Sequence, residues 1–278
     1  MQYHAKLPDD NPNVSHQNPI KEFISLLAGV IAIVLFVYWI LGFFIDAAVD
    51  TISPEMELSI FESLGEELAA NPAGERSQAF TEAEQKIRVL IDDLTACMDV
   101  GYPIELIFRP SHQANAFAAP GGKMIVLSGL LKHVDSENGL AFIIAHELGH
   151  FKNRDHLRGL GRNVVLMALS FLATGNMHLS KVLTPVNAFQ NAQFSQGRES
   201  GADERALDII QCHYGHVGGA TEFFSKISDR EDDFPLTHYF QTHPEAKARV
   251  EAIKVLSRER NYTEGNVKPA FWSQAILN

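Results

Sequence analysis

Residues 23–45 form an unbroken apolar run, FISLLAGVIAIVLFVYWILGFFI, that carries no charged side chain. A helix of this length crosses the ~30 Å hydrocarbon core of a bilayer at about 1.5 Å per residue. A cleaved signal peptide would have a shorter apolar core and a basic start at the extreme N terminus, whereas a polar tail at 1–22 precedes this run. We therefore predict one transmembrane helix at 23–45, retained as a single-pass membrane anchor.

The charges on either side of the run predict its orientation. Lys6 and Lys21 precede it, and no Lys or Arg follows it until Arg76. The cytoplasmic flanks of membrane helices are enriched in Lys and Arg, so the N terminus should lie in the cytoplasm. The large C-terminal part is then predicted to lie on the extracytoplasmic, or periplasmic, side.

The remainder of the chain has the pattern of helices, then a small sheet, then helices again. Apolar residues at three- and four-residue steps predict a helix at 76–98. Beyond residue 136 the pattern is that of helices and loops. Three short β-like runs lie between these regions, at 104–109, 114–119 and 123–128. We predict an α+β fold, mainly helical with a small β-sheet.

The predicted anchor separates a polar tail from one folded unit. We place this unit at 46–262 and a C-terminal tail at 263–278. A second apolar stretch at 164–174 is too short to span a bilayer. We interpret it as a core helix, with a segment lying in the membrane interface as the alternative.

Charge and cysteine content restrict the classes of partner and site. The formal net charge is −11, which argues against nucleic acid as a partner because a nucleic-acid binder needs a basic surface. Cys97 and Cys212 form no CxxC pair, so they predict no cysteine metal site. We interpret them as buried free thiols, and a disulfide between them would require an oxidising compartment.

The segment HELGH at 146–150 is the strongest chemical signal in the chain. On a helix, His146 and His150 lie one turn apart on the same face, and both rings can reach one zinc ion. Glu147 projects about 100° away from His146, where it can accept a proton from a zinc-activated water without binding the metal itself. Gly149 weakens the helix, which suggests that another element approaches closely at this position.

A catalytic zinc ion needs a third protein ligand and an open position. The segment RESGADERALD at 198–208 places Glu199 and Asp203 four residues apart on one helical face. Glu199 is the candidate ligand, and Asp203 can hold the free N–H of a ligand histidine. The alternative is a solvated acidic helix start. Arg198 is expected to do no more than pair with a neighbouring acid.

These motifs together resemble the M48 family of zinc metallopeptidases. That family includes the CAAX prenyl endopeptidases, the bacterial HtpX heat-shock proteases and the BepA-type periplasmic proteases. The resemblance rests on four segments in the family's order: NAFAAPGG at 115–122 with IVLSGLL at 125–131, HELGH at 146–150, ESGAD at 199–203, and THPEAKAR at 242–249. The family usually has Ser-Arg a few residues before the glutamate ligand, whereas this chain has Ser195 and Gln196 with Arg198 displaced.

The resemblance implies a gluzincin-type centre with one zinc ion per chain. His146, His150 and Glu199 would bind the zinc, and Glu147 would act as the general base. Asp203 would not bind the zinc itself but would accept a hydrogen bond from a ligand histidine.

The resemblance also implies further residues around this centre. His243 and Arg249 match positions near the catalytic centre of the family, and His243 would donate a hydrogen bond to the oxyanion of the reaction. The alternative role of His243 is that of a simple helix start. An edge strand would pair with extended peptide substrates, and its residues are Asn115, Ala116, Phe117 and Ala118.

The implied function is that of a membrane-anchored zinc metalloendopeptidase. Its expected substrates are unfolded or misassembled membrane and envelope proteins, so its role would be protein quality control. The alternative is a gated or low-turnover, chaperone-like module that holds extended chains on the same fold. A processing enzyme for lipidated peptides is disfavoured, because such enzymes enclose a chamber with many membrane helices. The sequence predicts no oligomeric state.

Overall fold

A computed structural model describes residues 18–62, 77–174, 195–228, 243, 246–273 and 276, with only the backbone described for 166–174. Within these ranges the protein is mostly helical with one three-stranded sheet. The predicted α+β class, with a small sheet and an N-terminal apolar helix, is confirmed. Of the predicted polar tail at 1–22, residues 1–17 lie outside the described residues.

The apolar run lies within helix α1, Pro19–Thr51. Asn18 caps its start by accepting a hydrogen bond from the Ile20 N–H, and proline occupies the first helical position, where its missing N–H costs nothing. Among the described helices, α1 is the one that is long and apolar enough to cross a membrane. Helix α2, Pro54–Ile60, follows after a two-residue break and leads into the folded unit.

Helix α3, Gln78–Thr95, covers one face of the sheet with the apolar stripe that its sequence predicts. The strands are β1, Glu105–Arg109; β2, Ala116–Ala119; and β3, Lys123–Leu127. Strand β3 lies in the centre, parallel to β1 and antiparallel to β2. Strand β2 is therefore an edge strand of this sheet, as the sequence suggests.

The core of the unit is helix α4, Glu137–Asn153, which contains HELGH. Every residue of α4 from Asn138 to Phe151 is buried, so polar groups on this helix must find partners inside the protein. The helix ends at Arg154, which adopts the left-handed conformation with φ 58°. Helix α5, Asp155–Thr174, begins directly afterwards and runs back along α1.

Three helices complete the described fold: α6, Gln196–Tyr214; α7, Glu222–Ile227; and α8, Ala246–Glu259. Helix α6 makes the most extensive contact with α4. The contact is close because Gly149 has no side chain: a Cβ at this position would lie 2.9 Å from the Ala202 Cα. The sequence prediction that an element approaches α4 at Gly149 is confirmed.

The described part of 263–278 packs on the start of α4. The Glu137 N–H donates to the Lys268 carbonyl, and the Lys268 N–H donates to Asn138 Oδ1. Trp272 Nε1 donates to the Leu131 carbonyl. These bonds satisfy polar groups near the start of the HELGH helix that would otherwise need water.

The two cysteines form a disulfide bond, with Cα atoms 6.0 Å apart and a sequence separation of 115 residues. The prediction of free thiols was wrong. The packing of α3 against α6 brings Cys97, just after α3, to Cys212 in the last turns of α6. No local spacing encodes this proximity, so the sequence alone favoured the commoner buried thiol.

The second apolar stretch lies on α5. Near its start, α5 touches α1: a Cβ on Gly161 would meet Ile45. The choice between a core helix and a membrane-interface segment depends on side chains at 166–174, which lie outside the described side chains.

Candidate metal centre

The two HELGH histidines face each other in the core. Both are fully buried, and their Nε2 atoms lie 3.1 Å apart. Each Nδ1 lies beside a carboxylate: His146 Nδ1 is 2.9 Å from Asp203 Oδ1, and His150 Nδ1 is 3.0 Å from Asp155 Oδ2. The carboxylates thus set the orientation of both rings.

Glu199 reaches the same point from α6. Its carboxylate oxygens lie 3.5 Å from His146 Nε2 and 3.4 Å from His150 Nε2. The close α4–α6 contact at Gly149 brings Glu199 within this range. Glu199 is only 3% exposed, and its pKa lies well below the usual range: burial raises it, but the interactions with His243 and Arg249 lower it more.

The donor set at this point fits a metal cation. If each Nδ1–H donates to its carboxylate, the Nε2 atoms of His146 and His150 present lone pairs to each other and to the Glu199 carboxylate. Lone pairs that converge in a buried space repel each other unless a cation lies between them. Two imidazole nitrogens and one carboxylate oxygen are ligands that zinc accepts.

The pKa values of the two histidines are shifted in opposite directions. Burial and the neighbouring Arg249 lower the pKa of His146 to about 3, so this ring stays neutral as a metal ligand must. Burial also lowers the pKa of His150, but hydrogen bonds to Asp155 and Glu199 outweigh burial and raise it to about 10. The carboxylates around His150 therefore favour a positive charge there, which a metal cation would supply.

His243 joins this group from outside the helices. Single ligand atoms of His146, His150, Glu199 and His243 all lie within 4.8 Å of one another. His243 Nδ1 lies 3.1 Å from both Glu199 oxygens, and its Nε2 lies 3.5 Å from Glu147 Oε1. Sequence reasoning placed His243 near the centre as a hydrogen-bond donor and did not consider it as a possible fourth ligand.

Glu147 lies beside the two histidines without entering the group of ligand atoms. Burial raises its pKa above the usual range. Its Oε2 accepts a hydrogen bond of 3.1 Å from the Ala118 N–H, and its Oε1 has no hydrogen-bond partner among the described residues. A buried carboxylate that has a raised pKa and an oxygen without a hydrogen bond is suited to take up a proton.

Arg249 holds Asp203 and Glu199 in place from α8. Its Nε lies 2.9 Å from Asp203 Oδ2, its Nη2 lies 2.6 Å from Asp203 Oδ1, and its Nη1 lies 2.8 Å from Glu199 Oε2. The guanidinium lies 4.0 Å from the ring centroid of Phe224. Burial raises the pKa of Asp203, but the Arg249 charge and the His146 hydrogen bond lower it below its usual value.

The edge strand β2 runs next to this centre. The Ala118 N–H that reaches Glu147 shows that one backbone edge of β2 faces the site. Asn115, Ala116, Phe117 and Ala118 are all buried in the described structure. The Asn115 carboxamide has no hydrogen-bond partner among the described residues, although it is fully buried. Such a group is ready to receive a ligand.

Sequence reasoning missed Asp155 and the position of Arg198. Asp155 follows the helix break at Arg154, and this turn directs its carboxylate back to His150. Arg198 was expected to pair with an acid, and it lies 3.2 Å from both Asp155 and Asp46. The only sequence signal for Asp155 was an acid five residues after the candidate ligand His150.

Comparison with known proteins supports the same interpretation. The profile of Peptidase family M48 matches residues 77–257. Mitochondrial metalloendopeptidase OMA1 of Arabidopsis thaliana is 30% identical over 135 residues, which cover 49% of this chain and 28% of that protein. OMA1 of Schizosaccharomyces pombe is 28% identical over 159 residues, which cover 56% of this chain and 47% of that protein.

A bacterial relative matches as well. The beta-barrel assembly-enhancing protease of Yersinia pestis is 26% identical over 140 residues, which cover 46% of this chain and 29% of that protein. The chain thus spans less than half the length of each of these relatives. Because the family profile covers most of the folded unit, including the HELGH and ESGAD segments, the chain belongs to Peptidase family M48, a family of metal-dependent peptidases.

Proposed function

We propose that the protein is a zinc-dependent metalloendopeptidase that hydrolyses unfolded or misassembled membrane and envelope proteins. The observation that carries this proposal is the convergence of His146 Nε2, His150 Nε2 and the Glu199 carboxylate in one place, beside Glu147 Oε1. Ligands and base come together in one buried place, as hydrolysis of a peptide bond requires.

His146, His150 and Glu199 would hold the zinc ion, with Asp203 and Asp155 fixing the two rings through Nδ1. When bound, zinc would polarise the scissile carbonyl and acidify a water molecule. Glu147 would accept the proton of that water on Oε1 and then pass it to the leaving amine. Arg249 would keep Asp203 and Glu199 ionised.

The substrate would bind as an extended chain along β2. An edge strand offers unpaired backbone groups, so it binds peptides with little dependence on their sequence. The buried Asn115 carboxamide would then donate to the substrate backbone. Peptide binding that depends little on the peptide's sequence suits the removal of unfolded proteins. The Yersinia relative is named as a protease that enhances β-barrel assembly.

The catalytic domain would lie on the extracytoplasmic side of a membrane, anchored by α1. Two observations support this side: the lysines that precede the apolar run and the disulfide bond. Disulfides persist in oxidising compartments such as the periplasm and are rare in the cytosol.

A second candidate function rests on His243. With this imidazole among the ligand atoms, four protein groups would fill a tetrahedral zinc and leave no position for water. In that arrangement the protein would hold extended chains as a gated, chaperone-like module. In one state, His243 cannot both bind the metal and donate a hydrogen bond to the oxyanion. A measurement of peptidase activity therefore decides between the two functions.

The test is cleavage of unfolded casein by the full-length chain in detergent, with zinc content determined in each sample. Glu147→Gln is the inactive variant, and Glu204→Gln is the matched control because Glu204 is an exposed carboxylate on α6. We expect wild type and Glu204→Gln to cleave, and Glu147→Gln to bind one zinc ion without cleaving. Zinc-loaded wild type that does not cleave would favour the chaperone-like module. Wild type that binds no zinc would refute the ligand assignment.

A further inference from the structure

A chain of ion pairs connects α1 to the metal centre. Asp46 is the first residue after the apolar run, and its Oδ1 lies 3.2 Å from Arg198 Nη2. Arg198 Nε lies 3.2 Å from Asp155 Oδ1, and the other oxygen of Asp155 lies 3.0 Å from His150 Nδ1. Two ion pairs and one hydrogen bond therefore connect the end of the predicted membrane span to a proposed metal ligand.

The two proposed ligand histidines are held by parallel arrangements. His146 is backed by Asp203, whose partner is Arg249. His150 is backed by Asp155, whose partner is Arg198. The first arrangement is formed by α4, α6 and α8 within the folded unit, whereas the second continues to α1.

Arg198 is close to two parts of the candidate metal centre, Glu199 along the chain and Asp155 through an ion pair. It lies in the first turn of α6, directly before Glu199, so its side chain and the proposed carboxylate ligand share one short backbone segment. Asp155 is 2% exposed, so removal of its cationic partner would leave a buried carboxylate with one fewer ionic contact. Such a carboxylate is a weaker and less well oriented acceptor for the His150 ring.

We propose that Arg198 is a positioning residue that acts on His150 through Asp155, and that Asp46 holds Arg198, so that the membrane helix α1 completes the metal centre. This inference rests on the proposed zinc site. It goes beyond anchoring, because α1 then contributes to metal affinity as well as to location. A truncated protein that begins at Asp46 would keep the Asp46–Arg198 ion pair only if the remaining end of α1 stayed helical.

The other contacts of Asp46 provide a matched control. Asp46 Oδ2 lies 2.6 Å from Arg162 Nη2. Arg162 lies on α5 and, like Arg198, is a cation that pairs with Asp46. Among the described residues, no ion pair joins Arg162 to Asp155. Arg162→Gln therefore removes one ion pair between α1 and the folded unit and leaves the connection to His150 intact.

The experiment measures the dissociation constant for zinc of the full-length chain in detergent, by competition with a chelator. We expect Arg198→Gln to weaken zinc binding by about 10- to 100-fold, the usual effect of losing a group that orients a metal ligand. Asp46→Asn should weaken it by about threefold to tenfold, and Arg162→Gln by less than about twofold, because only the former touches Arg198. Arg198→Lys keeps one ionic contact and should give an intermediate value.

A double-mutant cycle and the metal-free protein separate positioning from general destabilisation. Asp46→Asn should have no further effect on zinc affinity in the Arg198→Gln background, because Asp46 acts through Arg198. The melting temperature of the metal-free protein should fall at least as far for Asp46→Asn as for Arg162→Gln, since Asp46 pairs with Arg158, Arg162 and Arg198. The visible spectrum of the Co²⁺-loaded protein should change in Arg198→Gln and Asp46→Asn alone.

The inference is overturned if wild type and Arg198→Gln have the same dissociation constant for zinc. It is also overturned if Asp46→Asn and Arg162→Gln weaken zinc binding equally. If Arg198→Gln does not fold, the comparison of Asp46→Asn with Asp46→Glu decides, since only Asp46→Glu keeps the negative charge. Wild type that binds no zinc overturns the proposed function itself and is distinguishable from both results.

Discussion

The close contact between α4 and α6 makes Gly149→Ala a sharp test of how the ligands are brought together. The new Cβ would lie 2.9 Å from the Ala202 Cα and 3.1 Å from the Ala202 carbonyl oxygen. Both are backbone atoms, so no side chain can rotate away. Ordinary contacts of a Cβ begin at 3.4 Å, so the helices must separate by about half an ångström.

This separation acts directly on the proposed zinc site, because two ligands lie on α4 and Glu199 lies on α6. Metal–ligand distances tolerate changes of about 0.2 Å, which is less than the required shift. Overpacking costs about 1–3 kcal/mol, while alanine stabilises the helix by about 1 kcal/mol relative to glycine. We therefore expect the free energy of unfolding of the metal-free protein to fall by about 2 kcal/mol at most. Zinc affinity should fall by about tenfold or more, because 1.4 kcal/mol of strain at the bonds is a factor of ten.

The assay combines urea unfolding of the metal-free protein with chelator competition for zinc. Gly197→Ala on α6 is the matched control, because a Cβ there meets nothing within 4 Å. This variant should bind zinc like the wild type. Wild-type zinc affinity in Gly149→Ala would show that the α4–α6 distance does not set the position of Glu199, and the reasoning would fail.

Three further predictions concern other parts of the fold. Reduction of the Cys97–Cys212 bond should lower the free energy of unfolding, measured in urea, by up to about 5 kcal/mol, because the bond closes a loop with a separation of 115 residues. The Cys97→Ala/Cys212→Ala variant should show no change in urea unfolding when reductant is added. Burial raises the pKa of Glu57, but hydrogen bonds from His156 and Arg154 lower it to about 2, so its stabilising effect is present above pH 4.5 and lost as the pH falls towards 2. The stability difference between wild type and Glu57→Gln should shrink over that range, and an equal difference at pH 5 and pH 2.5 would refute this. Arg249→Lys should weaken zinc binding by about 10-fold, because lysine cannot make the forked contact with Asp203, and unchanged affinity would contradict that role.

The sequence could predict the elements whose signals are local. The apolar run predicted α1, the three β-like runs predicted the sheet, and Gly149 predicted a close helix contact. The spacing of HELGH and ESGAD placed the candidate ligands on two helices, and the structure brings those helices together. Hydrophobic periodicity and motif spacing carry such information because they depend on neighbours along the chain.

The features that the sequence did not predict depend on packing between distant segments. The disulfide forms because α3 docks on α6, and the ion pairs of Arg198 form because α1, α5 and α6 meet. The place of His243 beside Glu199 is set in the same way by tertiary structure. Roles for Asn115 and the other β2 residues stay predictions, to be tested with bound peptide.

The candidate metal centre is also built from segments that emerge from the ribosome at very different times. His243 lies 97 residues after His146, and Arg249 lies 103 residues after it. Contacts over such separations form late in folding, because a long loop must close first. A nascent chain that has not yet reached residue 243 therefore holds HELGH without His243 and Arg249. We expect C-terminal truncations that end before residue 243 to bind zinc more weakly than the whole chain, which would show this order of assembly.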